Sequence, residues 1–342
     1  MVNQLDLLAT ESQKEIDAVL AKEATSGQPL FEKHHRSWTL NARLINGASL
    51  ELVEKLAALP GVESIREQLV GRIIKPESHP VNFEEQPQEI QWGIDRIGAT
   101  KVWADGTNGQ NIVVGSLDTG VRGSHEILKN SMRESYNWYD PDNKTAFPHD
   151  MDGHGTHTMG TMVGSNGYGV APGAKWMSCL GCPSDCPEFN LVKCGEFLTC
   201  PTDTQGNNKD CSKAPHVINN SWGFFEGNVN AFHPVVNAWR AAGIIPVFSI
   251  GNLGPNCSSA ASPGDFSSVI GVGAMSKNET LVWYSGRGPA VGTGILKPDI
   301  SAPGLHVRSG WNGRPAHGRD IDHTGFSTLA SLRLLPPTPA PA

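Results

Sequence analysis

The chain has 342 residues, enough for one large hydrophobic core and one smaller unit. Its 27 basic and 34 acidic residues leave a net charge of −7, and no face or stripe collects the lysines and arginines, which argues against a nucleic-acid partner. No apolar run approaches the ~18 to 20 residues that span a bilayer, so we expect a soluble protein that makes no membrane contact.

The N-terminal part of the chain is predicted to form a small α+β unit, up to about residue 75. Apolar residues at helical spacing among Glu, Lys and Gln indicate one amphipathic helix over residues 3–24. Residues 37–45, SWTLNARLI, alternate strictly from one side chain to the next, which is the pattern of a half-buried strand. Ser49 can cap a following helix, and residues 62–74 offer a further strand.

A linker is predicted after this unit, over residues 76–91, PESHPVNFEEQPQEIQ. The segment is rich in proline and acid and has no hydrophobic periodicity. Such a composition is typical of exposed backbone that a protease can enter without unfolding a core. We therefore expect that, if the chain matures by proteolysis, it is cut here.

From Trp92 onward the pattern becomes that of an α/β protein. Residues 111–117 form a continuous apolar strand that ends at Asp118, as in parallel sheets whose two faces are both covered. Because parallel strands end at the same edge of a sheet, Asp118, Ser221 and Asn252 are predicted to lie along that edge. Further strand runs lie at residues 217–218, 244–250 and 269–272, with helical segments between them, such as 235–242.

Residues 150–164, DMDGHGTHTMGTMVG, place His154 in the first turn of a predicted buried helix. Two glycines in that helix are small enough for another backbone to approach it closely. A single histidine near glycines is more often a loop or capping residue than a catalyst. Here NIVVGSLDTGV lies upstream and HTGFSTLAS near the end, so the chain supplies an acid, a base and a hydroxyl in the order Asp118, His154, Ser327.

Six of the seven cysteines fall in one stretch, and Cys257 lies alone downstream. The six are Cys179, Cys182, Cys186, Cys194, Cys200 and Cys211. Local disulfides that leave one thiol over are the favoured interpretation, and the short C-x2-C and C-x3-C spacings leave a structural zinc as an alternative. Disulfides imply an oxidising compartment, hence secretion. No signal peptide is visible in the first ten residues, and we favour an incomplete N-terminus as the reason.

Several phrases resemble the subtilase family of serine endopeptidases. DGHGTHTMGTMVG resembles its histidine motif and VVGSLDTGV its aspartate motif, in the order of subtilisin. GVAPGAKW, VINNSWG, VFSIGNLG, YSGRGP and LKPDISAPG resemble further family phrases, so that the resemblance spans roughly residues 92–331. The cysteine-bearing insert after AKW and the opening WGIDRIGA are most similar to the bacillopeptidase F branch of the family.

The resemblance implies an α/β fold, a subtilisin-like parallel sheet flanked by helices and preceded by a small α+β propeptide-like domain. It divides the chain into a propeptide-like inhibitor and chaperone domain, a linker, a catalytic domain that ends early, and a Pro/Ala tail. The corresponding ranges are 1–75, 76–91, 92–335 and 336–342.

The activity that the resemblance implies is hydrolysis of internal peptide bonds through an acyl-enzyme. The catalytic residues so implied are Asp118, His154 and Ser327, with Asn252 as the side-chain donor to the oxyanion. The residues implied to hold an extended substrate are Ser221, Trp222, Gly223 and Gly251. No cofactor is required, and the structural calcium that often stabilises subtilases has no assignable ligands here. The expected partners are polypeptide substrates and the chain's own propeptide, with the protein a monomer.

The phrase around Ser327 departs from the family, which generally reads G-T-S-M-A where this chain reads GFSTLA. Phe326 is far bulkier than threonine, and Pro336 stops the following helix after eight positions. We therefore expect a poorly anchored nucleophile and low activity. The alternative function is an inactive homologue, a pseudoprotease that binds peptides without turnover. A third and weaker alternative is a cysteine-based metal-binding protein.

Overall fold

The computed structural model describes residues 1–73, 90–312 and 319–321. Within these ranges, no helix is both long and apolar enough to cross a membrane. The helices are α1 (Val2–Ser12), α2 (Lys14–Ala24), α3 (Leu50–Ala57), α4 (Trp92–Arg96), α5 (Ala99–Ala104), α6 (His154–Val163), α7 (Glu188–Thr199) and α8 (His233–Ala241).

Half of the strands belong to one large sheet. The strands are β1 (Lys33–Ser37), β2 (Ala42–Asn46), β3 (Val70–Ile73), β4 (Val113–Asp118), β5 (Trp138–Tyr139), β6 (Lys175–Leu180), β7 (Cys186–Pro187), β8 (Val217–Asn220), β9 (Trp222–Gly223), β10 (Ile245–Ser249), β11 (Ile270–Met275), β12 (Ile300–Pro303), β13 (Val307–Ser309) and β14 (Arg319–Ile321). Seven of them form a sheet in the order β12-β11-β10-β8-β4-β6-β5, and every neighbouring pair is parallel.

Both faces of the seven-stranded sheet are covered, which explains why its strands have continuous apolar runs. In β8, Val217 packs into the core cluster that contains Met159 of α6. The next residue, Ile218, packs into the cluster on the other face, which contains Leu191 of α7 and Val235 of α8. The predicted α/β fold with helices flanking a parallel sheet is confirmed.

The N-terminal unit differs from the prediction in two places. The helix over 3–24 is two helices, which meet at Gln13. The single strand predicted over 37–45 is wrong, because residues 38–41 form the turn of an antiparallel hairpin between β1 and β2. Asn41 adopts a φ of 47°, and Trp38 is buried in a cluster with Cys200 and Ala238. The segment therefore contains the end of one strand, a turn and most of a second strand.

The second half of the N-terminal unit follows the prediction more closely. Ser49 caps α3 as predicted, because its Oγ accepts from the N–H of Leu52 at 3.2 Å. The strand predicted over 62–74 is confined to β3. A strand needs hydrogen-bonding neighbours, and β3 obtains them only where it lies between β7 and β9, antiparallel to both.

The cysteine stretch is largely regular, because it contains the end of β6 and all of α7. Local pairing is as predicted: Cys179 pairs with Cys194, Cys182 with Cys186, and Cys200 with Cys211. Cys257 is the free, exposed thiol. The six paired cysteines are thus used in disulfides and not in the alternative zinc site.

Candidate active site

Three predicted site residues lie at the carboxyl ends of adjacent parallel strands. Asp118 is the last residue of β4, Ser221 follows β8 directly, and Asn252 lies three residues beyond the end of β10. In the sheet, β8 lies between β4 and β10, with Leu117 opposite Asn220. The topology therefore brings the three residues to one edge of the sheet, as expected for ligand-binding groups of an open parallel sheet.

The strongest polar contact at this edge joins His154 to Asp118. The Nδ1 atom of His154 lies 2.6 Å from Oδ1 of Asp118, and both side chains are almost completely buried. The same carboxylate accepts from the N–H of Thr119 at 2.7 Å and from Oγ1 of Thr158 at 3.3 Å. These bonds fix the carboxylate, so that the imidazole ring is held by a partner that cannot rotate freely.

The charge of this pair is set by two opposing effects. Burial by itself lowers the pKa of the His154 imidazole, because a charged ring is poorly solvated in the interior. The charge and hydrogen bond of Asp118, with the charges of Asp152 and Asp150, outweigh burial and raise the pKa above its ordinary value. The site is therefore arranged to stabilise an imidazolium.

Glycines let α6 approach β4 closely enough for this contact. A Cβ atom at Gly155 would collide with the carbonyl oxygen of Gly120 and come within 3.2 Å of the Asp118 Cβ. On the far side of the helix, a Cβ at Gly160 would collide with Oγ of Ser309 in β13. The close approach predicted from the two helix glycines is confirmed.

Asp150 organises the start of α6, a function that the sequence analysis did not assign to it. Its carboxylate is buried and accepts from the N–H groups of Asp152, Gly153 and Thr156, and from Oγ1 of Thr156 and of Thr119. These distances lie between 2.6 and 3.1 Å. Burial raises the pKa of the Asp150 carboxyl, although the hydrogen bonds oppose the rise. An aspartate just before a predicted helix is the signal that could have identified this cap.

Asp150 also links the segments that carry Asp118 and His154. Thr119, which follows Asp118, donates its Oγ1 proton to Asp150 and accepts at the same oxygen from the N–H of Gly155 at 2.8 Å. Gly155 follows His154. One carboxylate thus connects the residue after Asp118 to the residue after His154.

In the predicted substrate-binding residues Ser221, Trp222 and Gly223, the side chains of the first two are used inside the protein, whereas the backbone of the last two pairs with a neighbouring strand. The side chain of Trp222 is fully buried, and its Nε1 donates to Oδ1 of Asn220 at 3.2 Å. The hydroxyl of Ser221 bonds to the side chain of Asn219. The backbones of Trp222 and Gly223, in contrast, pair with β3. An edge of this kind holds a peptide through its main chain.

Gly251 and Asn252 lie in the turn after β10. Gly251 has a φ of 94°, and its carbonyl oxygen accepts from the N–H of Gly286 at 2.8 Å. The side chain of Asn252 is half-buried, and its Oδ1 atom has no hydrogen-bond partner in the described part of the chain. Asn252 therefore places a neutral amide at the same edge as Asp118.

Three of the predicted features lie outside the described residues. They are Ser327 with its altered flanking phrase, the Pro/Ala tail, and most of the linker over 76–91. Among the residues that are described, no three His, Cys, Asp or Glu side chains gather in a way that could hold a metal ion.

A parallel sheet that carries a buried aspartate–histidine pair at its carboxyl edge is the arrangement of the α/β proteins that use Asp-His-Ser triads. Residues 109–331 match the sequence model of the Subtilase family, and the chain therefore belongs to this family. The family and the enzyme class predicted from the motifs, a serine-type endopeptidase, are confirmed at the level of the family.

Individual relatives agree with this assignment. The chain is 35% identical to Bacillopeptidase F of Bacillus subtilis (strain 168) over 94% of its own length and 24% of that protein. It is 27% identical to a Thermostable alkaline protease of Halalkalibacterium halodurans over 89% of this chain and 76% of the relative. It is 29% identical to Subtilisin DY of Bacillus licheniformis, covering 65% and 75% of the two chains. The chain thus spans about a quarter of Bacillopeptidase F.

Proposed function

We propose that this chain is a serine endopeptidase that hydrolyses internal peptide bonds through an acyl-enzyme. Ser327 Oγ attacks the scissile carbonyl, and His154 takes its proton and returns it to the leaving amine. Asp118 holds the tautomer of His154 and stabilises the imidazolium. The observation that carries the proposal is the buried 2.6 Å contact between His154 and Asp118 in a chain that belongs to the subtilase family.

Asn252 is proposed as the side-chain donor to the oxyanion, together with the backbone N–H of Ser327. Negative charge develops on the carbonyl oxygen only as the tetrahedral intermediate forms, so a neutral amide already fixed in place stabilises that state selectively. The location of Asn252 at the carboxyl edge of the sheet supports this assignment. Ser221, Trp222, Gly223 and Gly251 are proposed to align the substrate backbone beside it.

We further propose that residues 1–75 are a propeptide that occupies the substrate site until the chain is cut in the linker over 76–91. Support comes from β3, which pairs with the edge of Gly223 and Trp222, with Arg72 opposite Gly223 and Ile73 opposite Trp222. Because β3 and β9 are antiparallel, β3 advances from Gly223 at Arg72 to Trp222 at Ile73, in the direction of Ser221.

The contacts between the N-terminal unit and α7 support this role. Glu188, at the start of α7, receives two hydrogen bonds from Arg66 and one from the N–H of Leu69 at 2.9 Å. Glu196, two turns further on, accepts from Ser37 Oγ at 2.8 Å and from Thr39. Both carboxylates are buried in this interface. The N-terminal unit is thus fixed at both ends of α7, while its last strand, β3, lies between β7 and β9.

Localisation and assembly follow from the same assignment. We propose that the protein is secreted and acts as a monomer on polypeptides. The three disulfides support an oxidising compartment. Non-reducing peptide mapping of protein recovered from the growth medium is expected to recover these pairs, and all seven cysteines found as thiols would contradict it.

The experiment that tests the proposed activity is turnover of a chromogenic peptide with and without a serine-directed covalent inhibitor. We expect inhibitor-sensitive turnover, and we expect Ser327→Ala to abolish it and to leave the precursor uncut. The alternative function, a pseudoprotease, is motivated by Phe326 beside Ser327. It predicts that peptide binds without turnover and that the inhibitor has no effect.

A further inference from the structure

The channel between β7 and β9 holds β3 as it would hold an extended peptide. Gly71 lies opposite Cys186 of β7, and Arg72 lies opposite Gly223 of β9. Side chains of an extended strand alternate between its two sides. Accordingly Val70 and Arg72 are exposed, whereas Gly71 and Ile73 are buried. Every second side chain of the strand that occupies the channel must therefore fit against the protein interior.

The space at Gly71 is closed on three sides. A Cβ atom built there would lie 3.3 Å from the ring of Trp222, 3.4 Å from the carbonyl oxygen of Gly223 and 3.5 Å from the Cβ of Cys186. The first contact is tighter than ordinary van der Waals distance, so even a methyl group requires a small shift. A larger side chain would have to displace one of the three neighbours.

These neighbours are held in place by other parts of the structure. The Trp222 ring packs edge-on against Phe232 and Phe248, at centroid distances of 5.1 and 5.7 Å, and its Nε1 is hydrogen-bonded. Cys186 is fully buried and is tied to Cys182 by a disulfide. A close-packed wall of this kind does not yield to a larger side chain without loss of packing.

The two following positions make different demands. Arg72 points outward, and its guanidinium carbon lies 5.4 Å from the centroid of the Phe225 ring. Its Nε lies 4.0 Å from Oδ1 of Asp185, which is a long ion pair. Ile73 points inward, is 6% exposed and belongs to the apolar cluster that contains Trp222. The channel thus accepts a small residue, then a residue of open choice, then an aliphatic one.

Resting on the proposed peptidase function, we propose that the channel selects substrates by this pattern: glycine or alanine against Trp222 and Cys186, and an aliphatic residue two positions later. The N-terminal unit satisfies the pattern with Gly71 and Ile73. The disulfide between Cys182 and Cys186 acts as a specificity element, because it fixes one wall of the small position.

The first test does not depend on activity. In the full chain carrying Ser327→Ala, amide hydrogen exchange in β3 is compared among Gly71→Ala, Gly71→Leu and the outward-facing control Arg72→Leu. We expect exchange to rise at least about 10-fold in Gly71→Leu, since overpacking opposes docking of the strand. The exchange rate should rise less in Gly71→Ala. In Arg72→Leu it should stay within about 3-fold of the parent rate, because an exposed ion pair contributes little. Equal protection in Gly71→Leu and Arg72→Leu would overturn the proposal.

The second test uses four quenched-fluorescent peptides that carry the sequence of residues 70–73 with glycine, alanine, leucine or phenylalanine at the Gly71 position. We expect kcat/KM to be highest for glycine and alanine, and at least about 10-fold lower for leucine and phenylalanine. Equal kcat/KM for all four would refute the selection pattern while leaving proteolysis intact. Absence of turnover of every peptide would instead count against the proposed function, and the exchange experiment would then decide the pattern alone.

Discussion

The catalytic edge and the interface between α7 and the N-terminal unit both depend on buried carboxylates, yet they differ in how far apart their partners lie in the chain. Asp118 and His154 are 36 residues apart, whereas Glu196 and Thr39 are 157 apart. Asp118 and His154, the proposed catalytic groups, come from two short contiguous motifs. The interface groups come from segments that carry no motif at all. Catalytic chemistry is thus readable locally, and docking is not.

The comparison also separates what each carboxylate does. Asp118 holds a ring that changes its charge in the proposed mechanism, whereas Glu196 joins His35, Ser37 and Thr39 of the N-terminal unit to α7. Loss of the first should affect rate more than stability. Loss of the second should affect docking more than rate. Substitutions of these carboxylates and of their neighbours test this division.

Asp118→Asn should lower the turnover rate by on the order of 10⁴-fold and leave the fold intact. An asparagine of similar shape keeps the side chain in place but favours the wrong tautomer of His154 and no longer stabilises the imidazolium. The measurement is kcat on the chromogenic peptide, with circular dichroism as the check on folding. Retention of more than about a tenth of the activity would show that the contact with His154 is structural only.

Asp150→Asn should lower kcat by about 100-fold with little change in KM. The substitution weakens the bonds that hold the start of α6, and a shift of His154 by about 1 Å is enough for a loss of this size. The matched control is Asp140→Asn, which alters another buried carboxylate that accepts from two backbone N–H groups and from Thr145 and that follows β5, two strands from β4 along the same edge of the sheet. Both variants should lose about 1 to 3 kcal/mol of unfolding free energy.

Only the kinetic result distinguishes these two aspartates. If Asp140→Asn loses kcat as strongly as Asp150→Asn, the effect of Asp150 is general destabilisation and not the positioning of His154.

Glu196→Gln should loosen the N-terminal unit. An amide can keep its oxygen toward Ser37 and Thr39, which both donate to Oε1, but it removes the charge and puts an NH2 group in place of the oxygen that lies 2.7 Å from Nε2 of His35, at a cost of about 1 to 3 kcal/mol. In the full chain carrying Ser327→Ala, amide exchange in β1 is expected to rise about 10-fold or more. The exposed control Glu134→Gln should leave it unchanged. A change in the peptide turnover of the matured enzyme, without a change in exchange, would contradict the division between docking and catalysis.

The smallest expected effect concerns pH. His154 must be neutral to accept the proton of Ser327, and its pKa is raised above the ordinary 6.5. Labelling by a fluorophosphonate should therefore fall as pH decreases through a midpoint above 6.5. The stabilisation that the charged pair contributes has the opposite trend: it is fully present below the unfolded pKa and is lost as pH rises through the folded one.

Asp152→Asn sharpens the pH prediction, because the charge of Asp152 contributes to the raised pKa of His154. This variant should move the midpoint to lower pH, whereas Glu134→Gln should not. A midpoint that is unchanged in Asp152→Asn, or that lies below 6.5 in the parent, would show that burial and not the surrounding carboxylates controls the imidazole.

The parts of the fold that were predictable are those whose pattern is set by their own segment. The strand ending at Asp118, the buried helix beginning at His154 and the cap at Ser49 all depend on neighbours within a few residues. The hairpin around Trp38 was not predictable, because its turn is held by contacts with residues of α7 and α8 that lie far away in the chain. α7 was not predicted, because the segment was interpreted from the spacing of its cysteines and not from its helical periodicity.

The site follows the same rule. The pairing of β3 with β9, the donors to Glu196 and the wall at Gly71 all join segments more than a hundred residues apart. No local pattern encodes them, because a strand edge accepts any backbone and a carboxylate accepts many donors. Asp150 is the intermediate case: its position before a glycine-rich helix was visible, but its bond to Thr119 was not.

The most direct test of the central claim is covalent labelling of the 342-residue protein by a fluorophosphonate, with the labelled residue identified by peptide mapping. The proposed triad predicts label on Ser327, in competition with peptide substrate, and loss of that label in His154→Ala while the fold is retained. Label on Ser327 at the same rate in His154→Ala, or none on Ser327 in the folded parent protein, would contradict the proposed serine endopeptidase.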